Sequence, residues 1–196
     1  MPTAHPASPS PRRSPLRLAI YAVAALALLT ALPASAQTSG FSLGLLGGVG
    51  GSPDSDSYTG TSIQAVASWE WRLRTHAQIR VGVLELDIDD VVDGFDVGAD
   101  LTWVGLTTEY RHNADFYDAG YIIGLGYYSL ETDTTVIPGG VIAATDEDAI
   151  GVHLGVSGHF NIGNRWAVPI EIMGHWADFD AAQIFITAQA GLAYRF

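Results

Sequence analysis

Cysteine and lysine are both absent from this chain. Without cysteine the fold gains no disulfide, even on an export route that permits one, and thiol chemistry is excluded. Without lysine, basic character rests on arginine alone. The nine basic residues face 21 acidic ones, for a formal net charge of −12 at pH 7. Arg12, Arg13 and Arg17 lie in the first 36 residues, which hold no acid, so the remainder is more acidic still. Such a balance argues against nucleic acid and against anionic lipid as partners. Beyond residue 36 nothing approaches the roughly 18 consecutive apolar residues of a spanning helix.

What is present starts with an export segment. Arg12, Arg13 and Arg17 precede the apolar run Leu18 to Leu32, and Pro33 and Ala34-Ser35-Ala36 follow. A positive start, a short apolar core and an A-x-A site describe a secretory signal peptide. The run is too short for a membrane anchor, which needs roughly 20 residues. Cleavage is expected after Ala36, with residues 1–36 the signal peptide and 37–196 one mature domain.

The last stretch sets the reading of that domain. Counting back from the end, Phe196, Tyr194, Leu192, Ala190, Ala188, Ile186 and Ile184 are apolar, while the alternate set is small or polar apart from Phe185. A period of two is a strand, and its length suits the roughly 9 to 11 residues of a tilted membrane-crossing strand. Seven more candidates precede it: Phe41–Val49, Thr61–Trp71, His76–Ile88, Ala99–Tyr110, Phe116–Leu130, Ile150–Ile162 and Trp166–Trp176. Most alternate cleanly. In the third, Arg80 and Glu85 have opposite parity, which predicts either a bulge near Val83-Leu84 or an Arg80 that snorkels at an interface.

Connections alternate in length. Those after the first, third and fifth strands are long, including an acidic loop Asp89 to Gly98 and a longest loop Glu131 to Asp148; those after the second, fourth and sixth are brief. Acids crowd the long side, and Arg72, Arg74, Arg111, Arg165 and Arg195 the other. Outward aromatics gather near strand ends. A soluble ligand-binding barrel would put its apolar face inward. Here Glu70, Glu109 and Glu171 oppose the apolar face, which suits a polar interior wrapped by lipid. The expected fold is all-β: an eight-stranded antiparallel up-and-down transmembrane β-barrel, closed because hydrocarbon leaves no backbone group unpaired.

From Gly40 to Phe196 the chain resembles the small eight-stranded outer-membrane proteins of the OmpA/OmpX/OmpW type. The resemblance implies a Gram-negative outer-membrane location among lipid and lipopolysaccharide. It also implies that the barrel-assembly machinery reads the C-terminal aromatics Tyr194 and Phe196.

Chemistry-bearing residues are few. Glu70, Arg80 and Glu109 are expected near one level of the lumen, as an internal ion cluster or a gate. Inward partners across the sixth and seventh strands sum near 328, which sets His153 opposite His175. A metal site there lacks an evident third ligand, so hydrogen-bonded packing is expected. The loop from Asp89 to Asp100 faintly resembles an EF-hand loop, but Val91 and Asp100 break the pattern; divalent cations are possible partners of these acidic loops. A lipid A-modifying enzyme would need a His-x-Ser pair, and His159-Phe160-Asn161 puts Asn where Ser must stand. No cofactor and no catalytic residue are expected. The leading reading is a non-enzymatic integral outer-membrane protein with a polar, largely filled lumen, working in envelope structure or surface interaction through acidic extracellular loops. The alternative is a narrow, porin-like passive channel for cations or a small solute, favoured by inward glycines such as Gly44, Gly48, Gly120, Gly124, Gly126, Gly151, Gly155 and Gly191, which would leave space.

Overall fold

The computed structural model describes residues 40–53, 58–92, 95–114, 116–137, 140–142, 144–180 and 182–196. The expected export segment and its cleavage point after Ala36 lie outside them. So do the acidic side chains of Asp54, Asp56, Asp89, Asp90, Asp93 and Asp96.

Eight strands close into one antiparallel barrel: β1 (Phe41–Ser52), β2 (Tyr58–Arg72), β3 (Thr75–Val92), β4 (Phe95–Asn113), β5 (Tyr117–Thr132), β8 (Asp146–Ile162), β9 (Trp166–Ala177) and β10 (Ile184–Arg195). Between β5 and β8, β6 (Thr135–Ile137) and β7 (Gly140–Ile142) form a separate two-stranded hairpin. Every barrel strand pairs with the next barrel strand along the chain, and β1 meets β10 to close the ring. The last residue completes that seam. The Phe196 N–H donates to the Phe41 carbonyl at 3.0 Å, and their rings pack 5.6 Å apart.

The strands run further into the long-loop end than the sequence expectation. The β3–β4 pairing continues through Ile88↔Val97 to Val92↔Phe95, so most of the expected ten-residue acidic loop is strand. Val91, Val92, Phe95 and Val97 supply the β-propensity, and Asp93-Gly94 between them is a hairpin-turn sequence. The β5–β8 pairing likewise reaches Glu131↔Asp146, which takes strand out of the expected longest loop.

Nor is there a bulge at Val83-Leu84. The β3–β4 register is unbroken from Thr75↔Tyr110 to Ile88↔Val97. Arg80 neither kinks the strand nor snorkels: it points inward and is fully buried, while Glu85 faces out and accepts from the Thr61 hydroxyl at 3.3 Å. One parity holds from Gln78 to Leu86, with Gln78, Arg80, Leu84 and Leu86 inside.

The outward side chains are those a lipid phase solvates. Leu45, Val49, Ile63, Leu106, Ile123, Leu125, Leu154 and Ile172 are all exposed, each on a strand beside another of the set or beside an equally apolar neighbour. An exposed apolar surface of this extent is foreign to a water-soluble monomer. At the short-turn end, aromatic pairs ring the barrel: Tyr117–Phe160 at 5.8 Å, Trp166–Tyr194 at 4.8 Å and Tyr194–Phe196 at 5.0 Å. Arg165 donates to the Tyr194 hydroxyl at 2.9 Å.

Candidate functional site

The lumen is the place where inward side chains of all eight strands meet, and it is built in layers. Strand alternation sends every second residue inward, and eight strands enclose just enough width for those side chains to fill.

Nearest the short turns is an open vestibule of about 400 Å³, with Glu70, Arg74, His76, Arg111, Asp118 and Arg195 on its wall. Above it lies an ionic layer. Arg80 donates from Nη1 to Glu171 Oε2 at 2.6 Å and from Nη2 to Oε1 at 3.1 Å, a bidentate pair. Its Nε and Nη2 also donate to Gln78 Oε1 at 2.9 and 2.7 Å. Gln78 turns its amide to Glu109, donating from Nε2 to Oε2 at 2.6 Å. Glu109 accepts from Arg111 at 2.6 and 2.9 Å and bonds His159 Nε2 at 2.7 Å; the Ser157 hydroxyl completes its shell. Two carboxylates, two guanidiniums and a glutamine bridge thus form one buried chain, with each charge matched and most lone pairs used. That is the condition under which a buried polar network is tolerated.

Arg80 and Glu109 are therefore joined, through Gln78. Glu70 is not part of the cluster. It sits opposite His76 at the rim, is exposed, and accepts from the Arg74 backbone N–H at 2.8 Å, closing the β2–β3 turn. The place expected for it beside Arg80 belongs to Glu171. Those two residues lie on β3 and β9, which do not touch as strands, so no cross-strand register reveals the pair. Gln78 was findable, since it shares parity with Arg80 two positions on.

The third layer holds the histidines. His153 pairs with His175 across β8 and β9, with ring centroids 5.8 Å apart. Both direct Nδ1 at the hydroxyl of Tyr128, at 3.0 and 3.1 Å. A phenol has one proton, so it donates to one ring and accepts from the other, and the two rings carry opposite tautomers. The far nitrogens meet Thr107 at 2.8 Å and Thr187 at 3.4 Å. The result is a hydrogen-bonded string, Thr107–His153–Tyr128–His175–Thr187, drawn across five strands. Tyr128 occupies the point where both Nδ1 atoms converge, and among the described residues no group of three or more His, Asp or Glu is arranged to hold a metal.

The top layer is apolar. Leu84, Leu86, Leu101, Trp103, Leu130, Phe179 and Phe185 are buried in one cluster, with Tyr128 at its floor. The expected polar lumen is thus confined to the lower part. Of the inward glycines expected to leave space, Gly124, Gly126 and Gly151 are instead sockets for these rings, as is Gly82. A methyl added at Gly82 would lie 2.1 Å from the Trp103 ring, and one at Gly124 would lie 2.2 Å from His153 Nε2. At Gly151 and Gly126 it would meet the Tyr128 ring at 2.9 Å. Trp103, His153 and Tyr128 each lie over a wall position without a side chain, and for Trp103 and His153 it is a direct cross-strand partner.

The chemistry open to this arrangement is limited. Ser157 and His159 both bond Glu109, which ties the two side chains to one carboxylate rather than to each other.

No family model matches the chain, and no curated protein is significantly similar to it. Solved structures do match. A major outer membrane protein from Thermus thermophilus has a TM-score of 0.61 at 13% identity, covering 82% of this chain and 100% of that one. Neisserial surface protein A gives 0.57 at 12%, over 82% of this chain and 100% of that one. The outer membrane protein OprG from Pseudomonas aeruginosa gives 0.56 at 8%, over 81% and 97%. The chain has the fold of the small eight-stranded outer-membrane β-barrels.

Proposed function

We propose that this protein is an integral outer-membrane barrel, exported by residues 1–36 with cleavage after Ala36, and that its lumen is shut. It is not an enzyme; it serves the envelope as a structural element or as a surface contact made by the acidic long-loop end. The observation that carries this reading is the sequence of layers inside an apolar outer wall. Above the Tyr128 string, buried Leu84, Leu101, Trp103 and Phe185 leave hydrated ions no polar path. In a barrel of this kind the short turns face the periplasm and the longer loops face outward.

One observation favours the runner-up, a narrow passive cation or small-solute channel: the vestibule opens the lower lumen as far as the ionic layer. Planar-bilayer recording of the refolded protein, after its heat-modifiable gel shift is verified, separates the two. A silent, correctly folded barrel is expected. Discrete cation-selective steps would overturn the closed reading.

A further inference from the structure

The interior charges are not all held alike. Arg80 and Arg111 each lie 2.6 Å from a carboxylate oxygen. Arg195 has Asp118 Oδ2 at 3.8 Å, at the edge of an ion pair, although only 34% of its side-chain surface is exposed. Asp118 also accepts weakly from Asn161 at 3.4 Å. Arg111 and Arg195 line the same cavity. Two like charges thus face one cavity, and the carboxylate nearest Arg195 is slack.

The cavity wall shows the same shortage. The Nδ1 atom of His76 is buried with no hydrogen-bond partner. A smaller pocket of about 20 Å³, room for one water, shares Ser42, Arg111 and Arg195 with the vestibule. On its wall is Ser68, which is 2% exposed and whose hydroxyl also lacks a partner. The third guanidinium comes from Arg74, in the β2–β3 turn. Arg74 has a φ of 63°, the left-handed region where glycine is favoured. The turn thus holds a non-glycine residue in a conformation that disfavours a side chain, and that side chain is an arginine at the vestibule rim. Glu70, the other carboxylate on the wall, is engaged by the Arg74 backbone N–H.

We propose that the vestibule is a binding site for a small oxyanion, a carboxylate or a phosphate, reached from the short-turn side. Arg195 grips it, Arg111 faces it from the opposite wall, and Arg74 closes over it. His76 and Ser68 offer neutral hydrogen bonds toward the inner end. The dimensions admit a small molecule and the blind inner end retains it, since the ionic layer stops passage upward.

The test is calorimetric titration of the refolded barrel in neutral detergent with inorganic phosphate and, separately, with acetate. Saturable binding of at least one is expected, and the one that binds assigns the ligand class. Arg195→Gln, which touches none of the buried ionic chain, weakens it by about tenfold, the loss of one charge-assisted hydrogen bond. Arg74→Gly weakens it less, and because glycine prefers that φ the barrel keeps its stability. Absence of saturable binding for both anions by a heat-modifiable, folded barrel would overturn the proposal. So would an Arg195→Gln protein that binds as tightly as the parent.

Discussion

Replacing Glu171 by alanine tests the ionic layer directly. Arg80 has no solvent exposure and donates two hydrogen bonds to Glu171, at 2.6 and 3.1 Å. Removing the carboxylate strands the guanidinium, with only Gln78 and the Met173 sulfur left around it. Breaking a buried pair by removing one partner costs about 3–5 kcal/mol. The Gln64 amide, which donates to the same carboxylate at 3.3 Å, loses its acceptor as well, adding about 1 kcal/mol. The expected loss is therefore about 4–6 kcal/mol, a large share of a typical stability of about 5–15 kcal/mol. Removing both charges with shape kept, as Arg80→Met with Glu171→Leu, should recover most of it, because no uncompensated ion remains. Urea unfolding of the barrel in lipid vesicles, followed by tryptophan fluorescence, measures both. Raising salt to about 1 M, where the screening length falls to about 3 Å, should leave the difference unchanged, since the pair never meets the salt. A Glu171→Ala loss below about 1 kcal/mol would refute the reasoning that a lone buried guanidinium is so costly, and so would a double variant less stable than the single one.

The glycine sockets and the lipid face give two further expectations. Gly82→Val drives a side chain into the Trp103 ring, which meets even a methyl at 2.1 Å; it should cost at least the about 1–3 kcal/mol of overpacking, seen as a lower urea midpoint, whereas an open, solvent-filled lumen would absorb it without loss. Leu125→Arg, at an exposed position midway along β5, should cost about 2–4 kcal/mol in a bilayer; a neutral result in vesicles would contradict a membrane-spanning wall.

The strands were legible because period-two alternation survives wherever one face is apolar and the other small or polar. On β8 the contrast is complete and on β10 only Phe185 breaks it, so the faces follow directly. On β3 it fails above Gly82. Leu84 and Leu86 fill the apolar lumen while Val81 and Val83 face the wall's outer side, so both faces ask for the same residue type and the parity signal vanishes. That is why Arg80 and Glu85 looked inconsistent although the register is unbroken between them. The partner of Arg80 was hidden for another reason. Cross-strand register reports neighbours in the sheet, whereas Glu171 reaches Arg80 through the lumen from a strand that is not adjacent. The inward glycines misled for a third reason. A missing side chain reads as a void until the ring that occupies it is known, and Trp103, Tyr128 and His153 sit on strands whose own pattern gives no hint of which glycine they cover.

The buried rings fill the middle of the lumen, and the remaining charges are laid out at its two ends. At the long-loop end Glu85, Asp100, Glu131 and Asp146 stand directly opposite one another on β3, β4, β5 and β8, one carboxylate per strand. At the other end Arg72, Arg74, Arg111, Arg165 and Arg195 gather with few acids among them. Between the two, the interior charges are neutralised pair by pair, and the rings are locked over glycines. Below that satisfied middle lie a left-handed Arg74 and a loosely held Arg195 around the vestibule. The strained and slack groups of the short-turn end thus stand apart from the tightly satisfied ones of the ionic layer, and it is there that a bound solute would find unspent hydrogen-bonding capacity.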